Sequence, residues 1–194
     1  MDYLDEMEKS ARARNIPVIL RDSREFLEKL CRERAPKRIL EIGMAIGYSG
    51  SCMLRSCEAQ LFSMEASTPN IKEARDNFEK LGLSERVTII EGDCMLNLPK
   101  LAGEKFDLIF LDGPKGKYVE MLDLVLPLLS DDGVLVSDNV LFRGMVLDGK
   151  PVSEPRFERT AEVMREYIKR LTTNPELETN LYHIGDGLCV TKFK

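Results

Sequence analysis

Arg38-Ile39-Leu40-Glu41-Ile42-Gly43-Met44-Ala45-Ile46-Gly47-Tyr48-Ser49 decides the fold. The run Arg38–Ile42 reads as a strand, and the two glycines that follow let the backbone turn tightly into a helix pattern over Tyr48–Ser56. A strand that enters a helix through a glycine loop is the first unit of an open α/β sheet, whose ligands bind beyond the carboxyl ends of the strands. The loop is not the dinucleotide fingerprint, in which the glycines stand closer together and the helix N-terminus lies under a pyrophosphate. Here a carboxylate, Glu41, precedes the first glycine. That arrangement suits a cationic ligand better than a phosphate.

Outward from this unit, strand and helix patterns alternate to the end of the chain without repeats or low-complexity stretches, the signature of a doubly wound parallel sheet. Further strands are expected at Gln60–Met64, Val87–Glu91, Phe106–Leu111 and Gly133–Ser137, and helices at Asn70–Leu81, near Met95–Leu101 and at Tyr118–Leu129. Pro69 and Gly82 punctuate the second of the core helices as start and stop signals. Two amphipathic helices, Tyr3–Arg14 and Ser23–Glu33, come first, with Pro17 between them. A polar loop (Leu147–Pro155), a helix over Arg156–Thr172 and two strands, Glu178–Ile184 and Gly187–Phe193, close the chain. The Gly185-Asp186-Gly187 link predicts that these two strands form an antiparallel hairpin. One α/β domain over residues 1–194 is expected, with capping helices in 1–35 and the core in 36–194.

At 194 residues and 43% hydrophobic the chain has enough apolar material for a core, and its net charge of −5 gives no global attraction to nucleic acid or anionic membrane. No apolar run approaches the roughly 20 residues that cross a bilayer, and the charged N-terminus does not read as a signal peptide, so a cytoplasmic protein is expected. The five cysteines are odd in number, lack metal-ligand spacing and read as reduced thiols. His183 is the single histidine and falls in a late strand pattern, where a structural role is expected.

Two more acids join Glu41 at the carboxyl edge. Glu65 follows the second strand, where α/β folds hold ribose hydroxyls, and Asp93 follows the third. Each alone reads equally well as a helix cap or a solvated acid. Together they favour a nucleoside cofactor that carries positive charge.

The fourth and fifth strands deliver oxygen ligands to the same edge through Asp112-Gly113-Pro114-Lys115 and Asp138-Asn139. Two carboxylates and an amide oxygen are hard donors that leave about three of six octahedral positions open, which suits Mg2+, or Mn2+ or Ca2+, better than Zn2+. An ion so placed orients and acidifies a substrate hydroxyl. Lys115, three residues beyond Asp112, is the candidate base, because a neighbouring cation disfavours its ammonium form. The alternative is an ordinary solvated lysine.

The glycine loop, Met64-Glu65-Ala66, Asp112 to Lys115 and Asp138-Asn139 resemble the metal-dependent O-methyltransferases that include the catechol and caffeoyl-CoA enzymes, over nearly the whole chain. Within them, Arg14-Asn15-Ile16-Pro17-Val18, Asp138 to Gly144 and Gly185-Asp186-Gly187-Leu188 look like the bacterial tRNA 5-hydroxyuridine methyltransferases. The resemblance implies a Rossmann-like, mostly parallel seven-stranded sheet with helices on both faces, S-adenosylmethionine as donor and a homodimer. It also implies a divalent ion on Asp112, Asp138 and Asn139, and Lys115 and Asp112 as catalytic residues. For the cofactor it implies Glu41 and Gly43 near the methionine part, Ser49 near its carboxylate, Glu65 on the ribose and Asp93 near the adenine. Ala45, Gly47, Tyr48, Ala66, Cys94 and Asp112 complete that set. Two departures stand out: a shorter N-terminus, and Gly113-Pro114 where small residues such as Ala are usual. The implied acceptor is the 5-hydroxyl of a tRNA uridine, entering as a flipped base past a rim of Lys115, Lys117 and Arg143. A small catechol-like molecule with two vicinal oxygens would use the same residues, and a non-catalytic nucleoside-binding module is the third reading.

Overall fold

The computed structural model describes residues 2–147, 152 and 154–194. Seven strands form one sheet in the order β3-β2-β1-β4-β5-β7-β6. β1 (Arg38–Ile42), β2 (Gln60–Glu65), β3 (Val87–Glu91), β4 (Phe106–Leu111) and β5 (Leu129–Ser137) run parallel. β7 (Leu188–Phe193) lies antiparallel to both β5 and β6 (Leu177–Tyr182). This is the expected Rossmann-like, mostly parallel sheet with its C-terminal hairpin.

Alternation along the strands assigns the two apolar layers. Ile39 and Phe110 face a cluster with Leu4 and Met7 of α1 (Tyr3–Ala13), Leu27 of α2 (Arg21–Arg34), Met53 of α3 (Tyr48–Ser56) and Phe78 of α4 (Thr68–Lys80). Leu40 and Ile109 face the opposite cluster. There they meet Leu98, just beyond α5 (Cys94–Asn97), Met121 of α6 (Tyr118–Val125) and Tyr167 of α7 (Glu158–Thr173). All these side chains are at most 3% exposed, and each contributes on the order of 1.5–3 kcal/mol by leaving water. α1 and α2 thus lie on one face of the sheet and supply part of its core.

Several boundaries differ from expectation for identifiable reasons. The helix expected over Tyr118–Leu129 gives way at Val125 to a single 3-10 turn over Leu126–Leu128. Pro127 has no N–H to continue the ladder and disfavours helical backbone at the residue before it. β5 begins at Leu129 rather than Gly133, because an irregularity in its pairing admits extra residues: Phe106 pairs with Leu129, but Leu108 pairs with Val134. Pro69 lies within the first turn of α4, a position where proline needs no N–H partner. The final hairpin pairs Tyr182 with Leu188, so residues 183–187 all belong to the loop, and His183 lies beyond the strand end. Of the polar loop expected over Leu147–Pro155, residues 148–151 and 153 lie outside the described residues. The cysteines are free thiols. Among the described residues, no helix is long and apolar enough to cross a membrane.

Candidate functional site

Parallel strands on either side of β1 depart from it in opposite directions through the sheet, and this switch between β1 and β4 opens the crevice in which such folds bind ligands. Backbone bonds knit its floor: Gly43 N–H donates to Met64 O at 3.1 Å, Asp112 N–H to Ile42 O at 2.9 Å and Asp138 N–H to Leu111 O at 3.0 Å. Gly43 is required there. Its φ is +102°, and a side chain would be driven into the carbonyl of Asp112.

Two cavities share this crevice. One, of about 380 Å3, is lined by Gly43, Glu65, Ala66, Asp93, Cys94 and Asp112, with Ile42, Met64, Gly92, Gly113 and Pro114. The other, of about 340 Å3, is lined by Asp112, Lys115 and Asn139, by Ala45 and Asn70, and by Pro17, Val18 and Ile19 from the link between α1 and α2. Gly43, Glu65, Asp112 and Gly113 line both. Ligands in the two cavities would therefore meet over Asp112.

The glycine loop is held from β2. Glu65 accepts the amide of Ala45 on Oε2 at 2.8 Å, and those of Ala66 and Ser67 on Oε1 at 3.0 and 2.8 Å. Asp93 caps α5 by accepting the Met95 amide at 2.8 Å, so it is a helix cap and also a lining residue of the first cavity. Glu41 lines neither cavity. It is fully buried beneath the loop, accepting Ser49 Oγ–H and Ser63 Oγ–H at 2.5 Å each. Burial pushes its carboxyl up to about 7 despite those two donors. Gly47 packs against the Phe78 ring, and the Tyr48 hydroxyl turns to Arg24 and Glu8, so neither residue nor Ser49 lines a cavity.

At the second cavity the Lys115 ammonium donates to Asp112 Oδ1 at 2.7 Å and to the Tyr118 hydroxyl at 2.8 Å. The hydroxyl of Tyr118, a fully buried residue, donates to the carbonyls of Leu111 and Asp138 at 2.9 and 3.2 Å. Asp138 is also fully buried. Its Oδ1 accepts the Asn139 amide at 2.7 Å, and its Oδ2 has no hydrogen-bond partner among the described residues. Burial first, and the nearby Asp112 carboxylate second, push the Asp138 carboxyl up to about 7. A buried carboxylate oxygen without a donor, beside a second carboxylate, fits a hard cation. Among the described residues no group of three or more His, Cys, Asp or Glu could hold a metal ion, so the candidate donors are two carboxylates and the Asn139 amide.

Asn139 occupies left-handed backbone, as do Phe142 and Arg143 in the turns that follow. The Asp186 carboxylate secures these turns by accepting the Arg143 amide on both oxygens, at 2.7 and 2.9 Å. Sequence reasoning missed Tyr118, Asp186 and Ser23, whose hydroxyl reaches Asp138 from α2. Only Tyr118 carried a local signal, its three-residue spacing from Lys115.

The whole chain, residues 1–194, matches the O-methyltransferase family. A catechol O-methyltransferase of Niastella koreensis is 34% identical over 179 residues, covering 87% of this chain and 79% of the relative. Among solved structures, a Podospora anserina methyltransferase bound to SAH superposes with a TM-score of 0.88 at 30% identity, over 100% of this chain and 88% of the other. An O-methyltransferase from Bacillus cereus in complex with SAH gives 0.87 at 25% identity, over 100% and 92%. The glycine loop, the crevice at the β1–β4 switch and the similarity along the full length lead to one conclusion: the chain belongs to the O-methyltransferase family and is an S-adenosylmethionine-dependent enzyme.

Proposed function

We propose that the protein transfers the methyl group of S-adenosylmethionine to a hydroxyl that has a second oxygen beside it, in a divalent-metal-dependent reaction, and that its substrate is the 5-hydroxyl of 5-hydroxyuridine in tRNA. The observation that carries this reading is that Asp112, Lys115 and Asn139 line one cavity while Oδ2 of Asp138, without a donor among the described residues, lies buried beside them. Asp112, Asp138 and Asn139 would hold the ion. When bound, the ion would supply a template for two adjacent oxygens and lower the pKa of the one that is a hydroxyl. As the free amine, Lys115 would take the hydroxyl proton at Nζ, and Tyr118 keeps that nitrogen directed at the cavity. Asp112, Gly43 and Glu65, common to both cavities, set the acceptor oxygen close to the donor's methyl group.

On the donor side, Glu65 would hold the ribose, and Asp93 and Cys94 the adenine, with Ala66 at the wall of the cavity that these residues line. The glycine loop would hold the methionine part, and buried Glu41, tied to Ser49, sets the loop's shape from below. Arg143, whose guanidinium lies 5.8 Å from the Phe157 ring centre, gives the substrate side a cation for a phosphate.

The 34% identical catechol enzyme favours a second reading, in which the acceptor is a small catechol. Both substrates present two neighbouring oxygens. Labelled donor supplied with bulk tRNA that carries 5-hydroxyuridine without its methyl group, and separately with simple catechols, distinguishes them. Label in tRNA alone is expected; label in catechols alone overturns the RNA assignment. Chelator-insensitive turnover, or an Asp138→Ala variant with unchanged turnover, overturns the metal reading. A homodimer completes the proposal, with edge strand β6 as its candidate contact, because Leu181 and Tyr182 there are among the exposed large apolar side chains. Sedimentation at several concentrations tests it.

A further inference from the structure

We propose that Ser23 is a positioning residue that, together with the Asn139 amide, holds the Asp138 carboxylate turned so that one of its oxygens is free for the cation. This inference rests on the metal reading above. Ser23 lies on α2, 115 residues from Asp138 in sequence, and is 2% exposed. Its hydroxyl donates to Asp138 Oδ1 at 3.5 Å, and the Asn139 amide donates to the same oxygen at 2.7 Å. Both donors are therefore on one side of the carboxylate, and Oδ2 has none among the described residues. The shorter Asn139 bond anchors the group, whereas the longer Ser23 bond biases its rotation. If the hydroxyl were absent, the carboxylate could turn about its terminal torsion, which is a broad and soft one.

Two features hold Ser23 in that place. Gly185 closes over it so tightly that a Cβ there would lie 2.5 Å from Ser23 Oγ. The next residue, Arg24, donates to the Tyr48 hydroxyl at 2.8 Å and to Glu28 at 2.7 Å, which ties this turn of α2 to the start of α3. The N-terminal helices thus reach the metal side of the site through Ser23 and the cofactor loop through Arg24.

Mn2+ is the probe, with binding followed by loss of the free-ion electron paramagnetic resonance signal. Partners that orient a metal ligand typically govern affinity by 10-fold or more, so Ser23→Ala is expected to weaken Mn2+ binding by about 10-fold while SAH affinity in calorimetry stays unchanged. Ser23→Cys keeps the volume but offers a weak donor, and is expected to weaken Mn2+ binding similarly. Asp138→Ala is the reference and is expected to abolish it. Wild-type affinity in both Ser23 variants overturns the Ser23 assignment and leaves the metal reading intact. Wild-type affinity in the cysteine variant alone assigns the effect to packing and also overturns it. A wild-type protein that does not bind Mn2+, or an Asp138→Ala variant that still does, overturns the metal reading and the role of Ser23 with it.

Discussion

The Lys115 ammonium lies 2.7 Å from Asp112 Oδ1, and both side chains remain partly open to the second cavity. Taking two charges largely out of water costs about what their attraction returns, so the placement of this pair is better explained by chemistry than by folding. Lys115→Met is expected to lower kcat by about 10²–10⁴-fold, the range in which a positioned general base acts, with SAH affinity unchanged in calorimetry. Turnover at the wild-type rate would remove Lys115 from the proton transfer.

Glu65 gathers three backbone amides from two segments, the glycine loop and the end of β2. Removing its carboxylate leaves those amides without their charged acceptor, at a cost of about 1–3 kcal/mol. Glu65→Ala is therefore expected both to lower the melting temperature and to weaken SAH binding. A variant that melts lower but binds SAH as the wild type does would confine Glu65 to a structural role.

How much of this was legible in the sequence depended on how local the cause was. β1, β3 and β4 end where the apolar pattern ends, and Glu65, Asp112 and Asp138 lie where strands run into loops. These are properties of a few neighbouring residues. The start of β5 was not legible, because it follows from the irregular pairing with β4 and from Pro127 ending the preceding helix. Glu41 was visible as an acid beside a glycine, but its burial depends on Ser63, 22 residues away on β2. Ser23 and Asp186 reach their partners across 115 and 43 residues, and no local pattern encodes such a contact.

Asp186 holds its loop by bonds to one backbone amide. Phe142 and Arg143 have φ of 46° and 57°, conformations that side-chain-bearing residues rarely adopt, and the Asp186 carboxylate offsets that strain. Asp186→Ala is expected to release the turn, seen as faster amide exchange over residues 140–144. Asn139 begins that turn, so kcat/KM for the acceptor should fall with it, while SAH affinity holds. Unchanged exchange would mean that the backbone bonds from Val140 and Leu141 to the hairpin suffice.

Glu41 predicts a particular dependence of stability on pH. Its carboxyl is pushed from the usual 4.5 up to about 7 by burial, against the two serine donors. Between those values the folded protein retains a proton that the unfolded chain releases. The resulting stabilisation is fully present below about 4.5 and is lost as pH rises through about 7, by at most about 3 kcal/mol. Glu41→Gln carries no charge to release, and its neighbouring serine hydroxyls can turn to suit an amide. Urea unfolding in chelator at a series of pH values should show the wild type losing stability relative to Glu41→Gln across that window, with no further divergence above it. The raised Asp138 carboxyl acts in the same direction but is present in both proteins, so it largely cancels in the difference. Parallel stability profiles would show that Glu41 is ionised throughout the window, with the serine donors outweighing its burial.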